Sequence, residues 1–306
     1  MAANFDSPRI LSIQSHVVHG YVGNKSAVFP LQLLGFEVDF INSVQLCTHT
    51  QYKKVTGQIL NETDLAALFQ GIKENELDNY DYLLTGYVGS PSFLKEIAAV
   101  YSHLKLVNPN ITFVCDPVMG DNGSLYVPKE LVPLYRDNIV PHADILTPNQ
   151  FELELLTDMK VNNLEETWKA IDVLHAKGCK TVVVSSSELG EKGHSLALAS
   201  TILGNSCQRI TITFKKKEAI FVGTGDMFAA LILAWMHKTK DNLKISLENT
   251  IATLQAILER TLLSIGDTSH TPANLELKLI QSKKEIEEPK VIFSANCTTR
   301  SCSPLE

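Results

Sequence analysis

Short apolar, β-rich runs alternate with longer stretches of helical period along most of the chain. The apolar runs predict strands at Arg9–Gln14, Glu37–Asn42, Tyr82–Thr85, Thr112–Cys115, Ile145–Thr147, Thr181–Ser186, Ser195–Ser200, Arg209–Phe214 and Ala219–Val222. The helical period predicts helices over Asn24–Leu34, Glu62–Asn75, Pro91–Val107, Pro128–Asn138, Gln150–Leu156, Leu164–Lys177, Thr224–Lys238 and Leu243–Ser264. Asn61-x-x-Asp64, Ser90-Pro91 and Asn163 three residues before Glu166 mark helix starts. Strands such as Thr181-Val182-Val183-Val184 are apolar throughout rather than alternating, as expected where helices cover both faces of a parallel sheet. The closely spaced runs Ser195–Ser200 and Arg209–Phe214, with a turn at Leu203-Gly204-Asn205-Ser206, read as consecutive strands forming an antiparallel edge. The expected class is α/β, a three-layer αβα arrangement with a central, mostly parallel sheet flanked by helices. No repeat or linker divides the 306 residues, so one domain over 1–306 is expected, with a flexible tail from about 294 to 306.

A formal net charge of −7 argues against a broad nucleic-acid surface, and Lys215-Lys216-Lys217 is too short to supply one. No apolar run approaches the length of a membrane span, and no secretory signal opens the chain, so a cytosolic location is expected. The six cysteines form no C-x-x-C pair, which fits reduced thiols better than a zinc site or a disulfide framework.

Chemistry concentrates where strands end, since ligands of open α/β sheets lie beyond the carboxyl ends of strands. Ser15, Gly86-Tyr87, Asp116, Thr147–Glu152, Ser185-Ser186 and Gly223–Asp226 all follow predicted strands. In Phe221-Val222-Gly223-Thr224-Gly225-Asp226 two glycines permit a sharp turn, and the helix start behind them offers free N–H groups to an anion. A carboxylate at that spot, Asp226, suits a base that takes a proton from an attacking hydroxyl; an acidic residue in an ordinary first helical turn is the plainer alternative. Asn149-x-x-Glu152 reads either as a reciprocal helix cap or as an amide and a carboxylate that organise a hydrated Mg²⁺. Asp116 and Asp121 add carboxylates in a glycine-containing loop. His16, His19 and His49 lack ligand spacing, although His49 beside Thr50 is suited to polarise a substrate oxygen. Tyr87 and Tyr126 are loop aromatics able to stack on a flat substrate. Gly20-Tyr21-Val22-Gly23-Asn24-Lys25-Ser26 fails as a P-loop because Asn24 separates glycine from lysine. Dinucleotide, protein-kinase, zincin and serine-hydrolase motifs are missing too.

Leu11–Val17 with Gly20–Asn24, Asn42–Gln45 with His49-Thr50, Thr85-Gly86-Tyr87, Cys115–Asp121, Thr147–Glu152 and Phe221–Asp226, in that order, resemble the pyridoxal kinase family, a branch of the ribokinase-like kinases. The resemblance spans about Arg9 to Val291. It implies a ribokinase-like fold and ATP-dependent phosphorylation of the 5′-hydroxymethyl group of pyridoxal, pyridoxine or pyridoxamine. Asp226 is then the base and Gly223, Thr224 and Gly225 the anion hole. Ser15 and Thr50 hydrogen-bond the ring, with His49 and Tyr126 nearby, while Val22 and Tyr87 flank it. Asp116, Asn149, Gln150, Phe151, Glu152, Ser185, Ser186, Phe221 and Thr224 surround the nucleotide. Asp121 and Glu152 organise Mg²⁺, or Zn²⁺ or another divalent ion, and Asp116, Thr147 and Ser185 a monovalent cation, K⁺ or Na⁺. A homodimer is implied as well. Two departures stand out: the loop after Asp121 is short, and Ser185 replaces an expected threonine. A hydroxymethylpyrimidine kinase is the nearest competing reading, disfavoured by Asp226 where cysteine is often expected. A ribokinase-type sugar kinase and a catalytically silent binder of pyridoxal phosphate complete the alternatives.

Overall fold

The computed structural model describes residues 7–266 and 268–301. The strands are β1 (Arg9–Val17), β2 (Glu37–Leu46), β3 (Gly57–Ile59), β4 (Tyr82–Thr85), β5 (Thr112–Cys115), β6 (Gly120–Asp121), β7 (Ser124–Leu125), β8 (Ile145–Leu146), β9 (Thr181–Ser187), β10 (His194–Leu203), β11 (Ser206–Lys215) and β12 (Asn296–Ser301). The helices are α1 (Asn24–Leu33), α2 (Glu62–Glu74), α3 (Pro91–Val107), α4 (Leu131–Leu134), α5 (Gln150–Thr157), α6 (Leu164–Ala176), α7 (Thr224–Lys238), α8 (Leu243–Ile265) and α9 (Lys283–Glu287). All strands but β6 and β7 join one ten-stranded sheet in the order β12-β11-β10-β9-β8-β5-β4-β1-β2-β3. Its centre, from β9 through β2, is parallel; β10, β11 and β12 on one side and β3 on the other are antiparallel.

The period-two geometry of strands sorts the apolar runs into two cores. Leu11, Ile13, Leu83, Phe113, Leu146, Val182 and Val184 face α2–α6, while Ile10, Leu84, Val114, Ile145 and Val183 face α1, α7 and α8. That double burial is why these strands lack polar alternation. α7 is buried from Met227 to Met236, so it too lacks a polar face. The expected caps are in place: Asn61 and Asp64 form a reciprocal box, Ser90 accepts from the Phe93 N–H, and Asn163 from that of Glu166. Among the described residues no helix is long and apolar enough to cross a membrane.

Several sequence expectations change. Ala219–Val222 is unpaired, and Ile220 is 72% exposed. β11 already pairs with β10 and β12, so the chain leaves the sheet at Lys215 and crosses as a loop to α7. Pro128–Asn138 becomes the short α4 followed by a wider helical turn at Tyr135–Ile139, since Pro133 has no N–H to give to a regular helix. Part of the segment expected to be a tail, Asn296–Ser301, pairs along β11 with every residue exposed, so it leaves no apolar pattern to read. Residues 302–306 of that segment lie outside the described residues. Within the glycine-containing loop expected over Asp116–Ser124, Gly120–Leu125 forms a hairpin of β6 and β7 closed by Asn122-Gly123, both at positive φ (48° and 78°).

Candidate active site

β1 is where the strand order reverses, with β2 on one side and β4 on the other, so the carboxyl end of β1 opens a crevice. The β1–β2 register slips between Gln14↔Asn42 and His16↔Gln45, placing Ser15 at a bulge above that crevice. The chain then turns through Gly20–Gly23 and packs directly on the Gly223 turn. Gly223 has φ 81°, and a Cβ there would lie 1.9 Å from the Tyr21 carbonyl oxygen. The Ser26 hydroxyl donates to the Gly223 carbonyl at 2.8 Å. The Gly23 N–H lies close enough to the Asp226 carboxylate to favour its charged form, and a Cβ on Gly23 would strike the Ser15 carbonyl. The segment set aside as a failed P-loop therefore cradles the glycine turn from the other side. Its sequence gives no phosphate motif; its role comes from contacts about 200 residues apart in the chain, as the Ser26–Gly223 bond shows.

The N-cap residue of α7 is Gly223, which has no side chain to cap it, so the Thr224 and Gly225 N–H groups at its start have no capping acceptor from that residue. Asp226 lies in this helix's own first turn, Asp116 beside it, and Glu152 near Asp116. Burial pushes the Asp226 carboxyl up, against the opposing pull of the Gly23 N–H and its own N–H. Asp116 is buried and raised well above the carboxylate range, first by burial and then by the charges of Glu152 and Asp226. Its Oδ2 lies 3.5 Å from the position a Gly225 Cβ would take. Burial pushes Glu152 up to about 7, although the N–H groups of Asn149, Met119 and Gly120 oppose the rise. The Asn149–Glu152 pair forms the reciprocal cap, with Asn149 Oδ1 accepting from the Glu152 N–H and Glu152 Oε2 from the Asn149 N–H, both at 2.9 Å. Glu152 Oε1 also takes the Met119 N–H at 2.9 Å, and Asn149 Nδ2 donates to the Gly120 carbonyl at 2.8 Å. The cap thus anchors the β6–β7 hairpin that carries Asp121.

Asp116 Oδ2 and Thr147 Oγ1 are buried without a hydrogen-bond partner. Two orphaned oxygens at adjacent strand ends fit a bound cation. Among the described residues no three His, Cys, Asp or Glu side chains gather into a metal cage. A divalent ion held by Asp121 and Glu152 would complete its shell from water and phosphate, as Mg²⁺ does. Asp121 is exposed, and its two oxygens accept from the backbone and side chain of Asn122.

A cleft of about 410 Å³ runs from this centre past Asp121, Ser185, Ser186, Thr224 and Gly225 to a wall of Phe221, Ile251, Leu254 and Leu258. Hydroxyls and free N–H groups at one end and an apolar slot at the other match a phosphate tail joined to a flat base. The α8 wall and the lysines at the mouth, Lys215–Lys217, were not anticipated. Ile251, Leu254 and Leu258 repeat at helical spacing and read as ordinary core. Gln150 and Phe151 stand apart from the cleft. Gln150 bridges the Val161 carbonyl and the Glu188 N–H, and the Phe151 ring packs on Gly120.

Ser15 and Val22 are buried, Tyr87 is half-buried, and Thr50 and Tyr126 are exposed, Tyr126 beside Asp121 and Glu152. His49 is not free to polarise a substrate. Its Nδ1 accepts from the Gln51 N–H at 3.3 Å, and its Nε2 faces Glu276 Oε1 at 3.2 Å.

Residues 40–274 match a family model described as phosphomethylpyrimidine kinase. The chain is similar to the pyridoxal kinase of Sus scrofa, 48% identical over 94% of each chain, and to that of Arabidopsis thaliana, 49% identical over 96% of each. It superposes on the structure of pyridoxal kinase from Leishmania donovani in complex with ADP and pyridoxamine with a TM-score of 0.90. That match is 33% identical and covers 95% of this chain and all of the other.

Proposed function

The chain belongs to the pyridoxal kinase family, and from that premise we propose that Asp226 takes the proton of a vitamer's 5′-hydroxymethyl group while the Gly223–Gly225 backbone holds the arriving phosphoryl group. The protein is an enzyme that phosphorylates B6 vitamers with ATP. The observation that carries the residue assignment is the carboxylate of Asp226 in the first turn of the uncapped α7, with the Gly20–Gly23 segment packed against the Gly223 turn.

Phosphoryl transfer depends on positioning and charge stabilisation more than on covalent participation by the protein. The vitamer's hydroxyl oxygen forms a bond to the γ-phosphorus as the bond to the β–γ bridging oxygen breaks, and ADP leaves with that electron pair. Asp226 accepts the hydroxyl proton, and its raised pKa makes it a better acceptor than an exposed aspartate. Thr224 and Gly225 N–H groups face the charge that builds on the transferring oxygens. Ser15 and Thr50 hold the ring's polar groups, Val22 and Tyr87 flank it, and Tyr126 covers it. His49 acts by supporting its own loop. Ser185, Ser186 and Phe221 line the nucleotide, with Asn149 and Glu152 fixing the hairpin above it. Bound Mg²⁺, held by Asp121 and Glu152, would neutralise phosphate charge; K⁺ or Na⁺ would sit against Asp116, Thr147 and Ser185. The homodimer and the cytosolic location rest on the family resemblance and the sequence alone.

The family model's description, phosphomethylpyrimidine kinase, keeps phosphorylation of a substituted methylpyrimidine as a second reading. The test is ATP-Mg²⁺ with pyridoxal, pyridoxine, pyridoxamine and hydroxymethylpyrimidine in parallel, with K⁺ and Na⁺ varied. Phosphorylated vitamer is the expected dominant product; preferential phosphorylation of the pyrimidine would overturn the vitamer assignment.

A further inference from the structure

Glu276 lies in the segment after α8, is buried, and uses both carboxylate oxygens. Its Oε2 accepts the Tyr21 N–H at 3.0 Å. Its Oε1 accepts the Tyr52 hydroxyl at 2.9 Å and faces His49 Nε2 at 3.2 Å. Gly20 makes this approach feasible: it has φ 96°, and a Cβ there would lie 2.3 Å from Glu276 Oε1. The Tyr52 ring meets His49 edge-on at 4.8 Å and His19 at 6.0 Å, closing the cluster.

The donors come from two separate loops. One, after β1, carries Val22 and Gly23, and the Gly23 N–H lies close to the Asp226 carboxylate. The other, after β2, carries His49 and Thr50. Backbone bonds from Val18 to Leu46 and from His19 to Cys47 join the loops at their bases. Farther out, Glu276 joins them, with one carboxylate oxygen for each loop.

We propose that Glu276 is a positioning residue that locks the two loops covering the vitamer against each other, and so sets vitamer affinity without touching the vitamer. This rests on the assignment of Val22 and Thr50 to the vitamer side. A carboxylate is needed because donors approach from both sides. A glutamine offers one acceptor and one donor. With its oxygen on the Tyr21 N–H, its amide can still be accepted by the Tyr52 hydroxyl but opposes the donor at His49 Nε2. In the other orientation it opposes the Tyr21 N–H, so either orientation weakens the lock.

The test measures pyridoxal KM, ATP KM, kcat and thermal midpoint for the full-length enzyme, Glu276→Gln and Tyr52→Phe. Glu276→Gln is expected to raise pyridoxal KM about ten-fold and Tyr52→Phe about three-fold, with ATP KM within about two-fold of wild type. A folded Glu276→Gln enzyme with unchanged pyridoxal KM, or equal rises in both KM values, overturns the proposal. If Glu276→Gln does not fold, Tyr52→Phe decides by the same criteria. Wild-type enzyme that phosphorylates no vitamer sinks the underlying assignment and this proposal with it, an outcome distinct from active wild type with unaffected variants.

Discussion

The two glycines of the Gly223–Gly225 turn share a residue type but not a duty, and alanine at each should separate the duties. At Gly223 an alanine must adopt φ 81° and would place its Cβ 1.9 Å from the Tyr21 carbonyl oxygen. The left-handed conformation costs roughly 1–2 kcal/mol, and forcing the packed Tyr21 loop aside adds about 1–3 kcal/mol. That loop cannot yield freely, because Ser26 also ties it to the turn. A fall in thermal midpoint of about 5 °C or more follows. Gly225 is different: it lacks a positive φ, and its Cβ would meet only Asp116 Oδ2, at an ordinary 3.5 Å. Exchanging glycine for alanine in a helix is favourable by up to about 1 kcal/mol, so the midpoint should hold or rise slightly. The new methyl instead enters the cleft beside the N–H groups proposed to hold the phosphoryl group. Losing one such donor lowers turnover by about 10²–10³-fold. The assay pairs thermal melts with ADP release from ATP and pyridoxal. Gly225→Ala with wild-type turnover, or Gly223→Ala with a wild-type melt, would refute this division.

Other consequences concern titration. Asp116 and Glu152 have folded-state pKa values raised by burial, that of Glu152 to about 7, so above the ordinary carboxylate range the native state keeps protons that the unfolded chain releases. Their contribution to stability is present at the acid end and lost as pH rises through the native values. Without K⁺ or Na⁺ the thermal midpoint should therefore fall from about pH 5.5 to about pH 7.5, added K⁺ should restore it mostly at the upper pH, and Asp116→Asn should reduce both effects, as differential scanning calorimetry would register. Hydrogen bonds from the Thr56 hydroxyl and N–H, with a smaller one from Thr48, bring the Cys47 thiol down to about 7. Iodoacetamide labelling followed by peptide mass spectrometry should show Cys47 reacting with a midpoint near that pH, moved upward in Thr56→Val; labelling that begins only in the ordinary thiol range would contradict it.

What was legible in the sequence was local. The αβα class followed from uninterrupted apolar strands, and the caps at Asn61, Ser90 and Asn163 from residue type and spacing. The Gly223–Asp226 turn stood out because glycine, hydroxyl and carboxylate fall together before an apolar helix. Ala219–Val222 misled because an apolar run before a helix looks like a strand, whereas Ile220 and Phe221 serve the cleft wall. Asn122-Gly123 carried a hairpin signal that the surrounding aspartates obscured. The contacts that assemble the site were hidden for a different reason. Gly20–Ser26 against Gly223, and Glu276 against Tyr21, His49 and Tyr52, join residues about 200 or more positions apart. No periodicity encodes such pairs; they exist only once α7 packs against α1 and the segment after α8 reaches the loops that follow β1 and β2.

The central claim is that Asp226 is the proton acceptor and contributes little to holding ATP. Asp226→Asn keeps the size of the side chain and an acceptor near the Gly23 N–H while removing the base. Single-turnover phosphorylation of pyridoxal, measured beside ATP affinity, should fall about 10²–10⁴-fold with ATP binding unchanged. Wild-type turnover in Asp226→Asn, or a loss explained wholly by weaker ATP binding, would contradict the assignment.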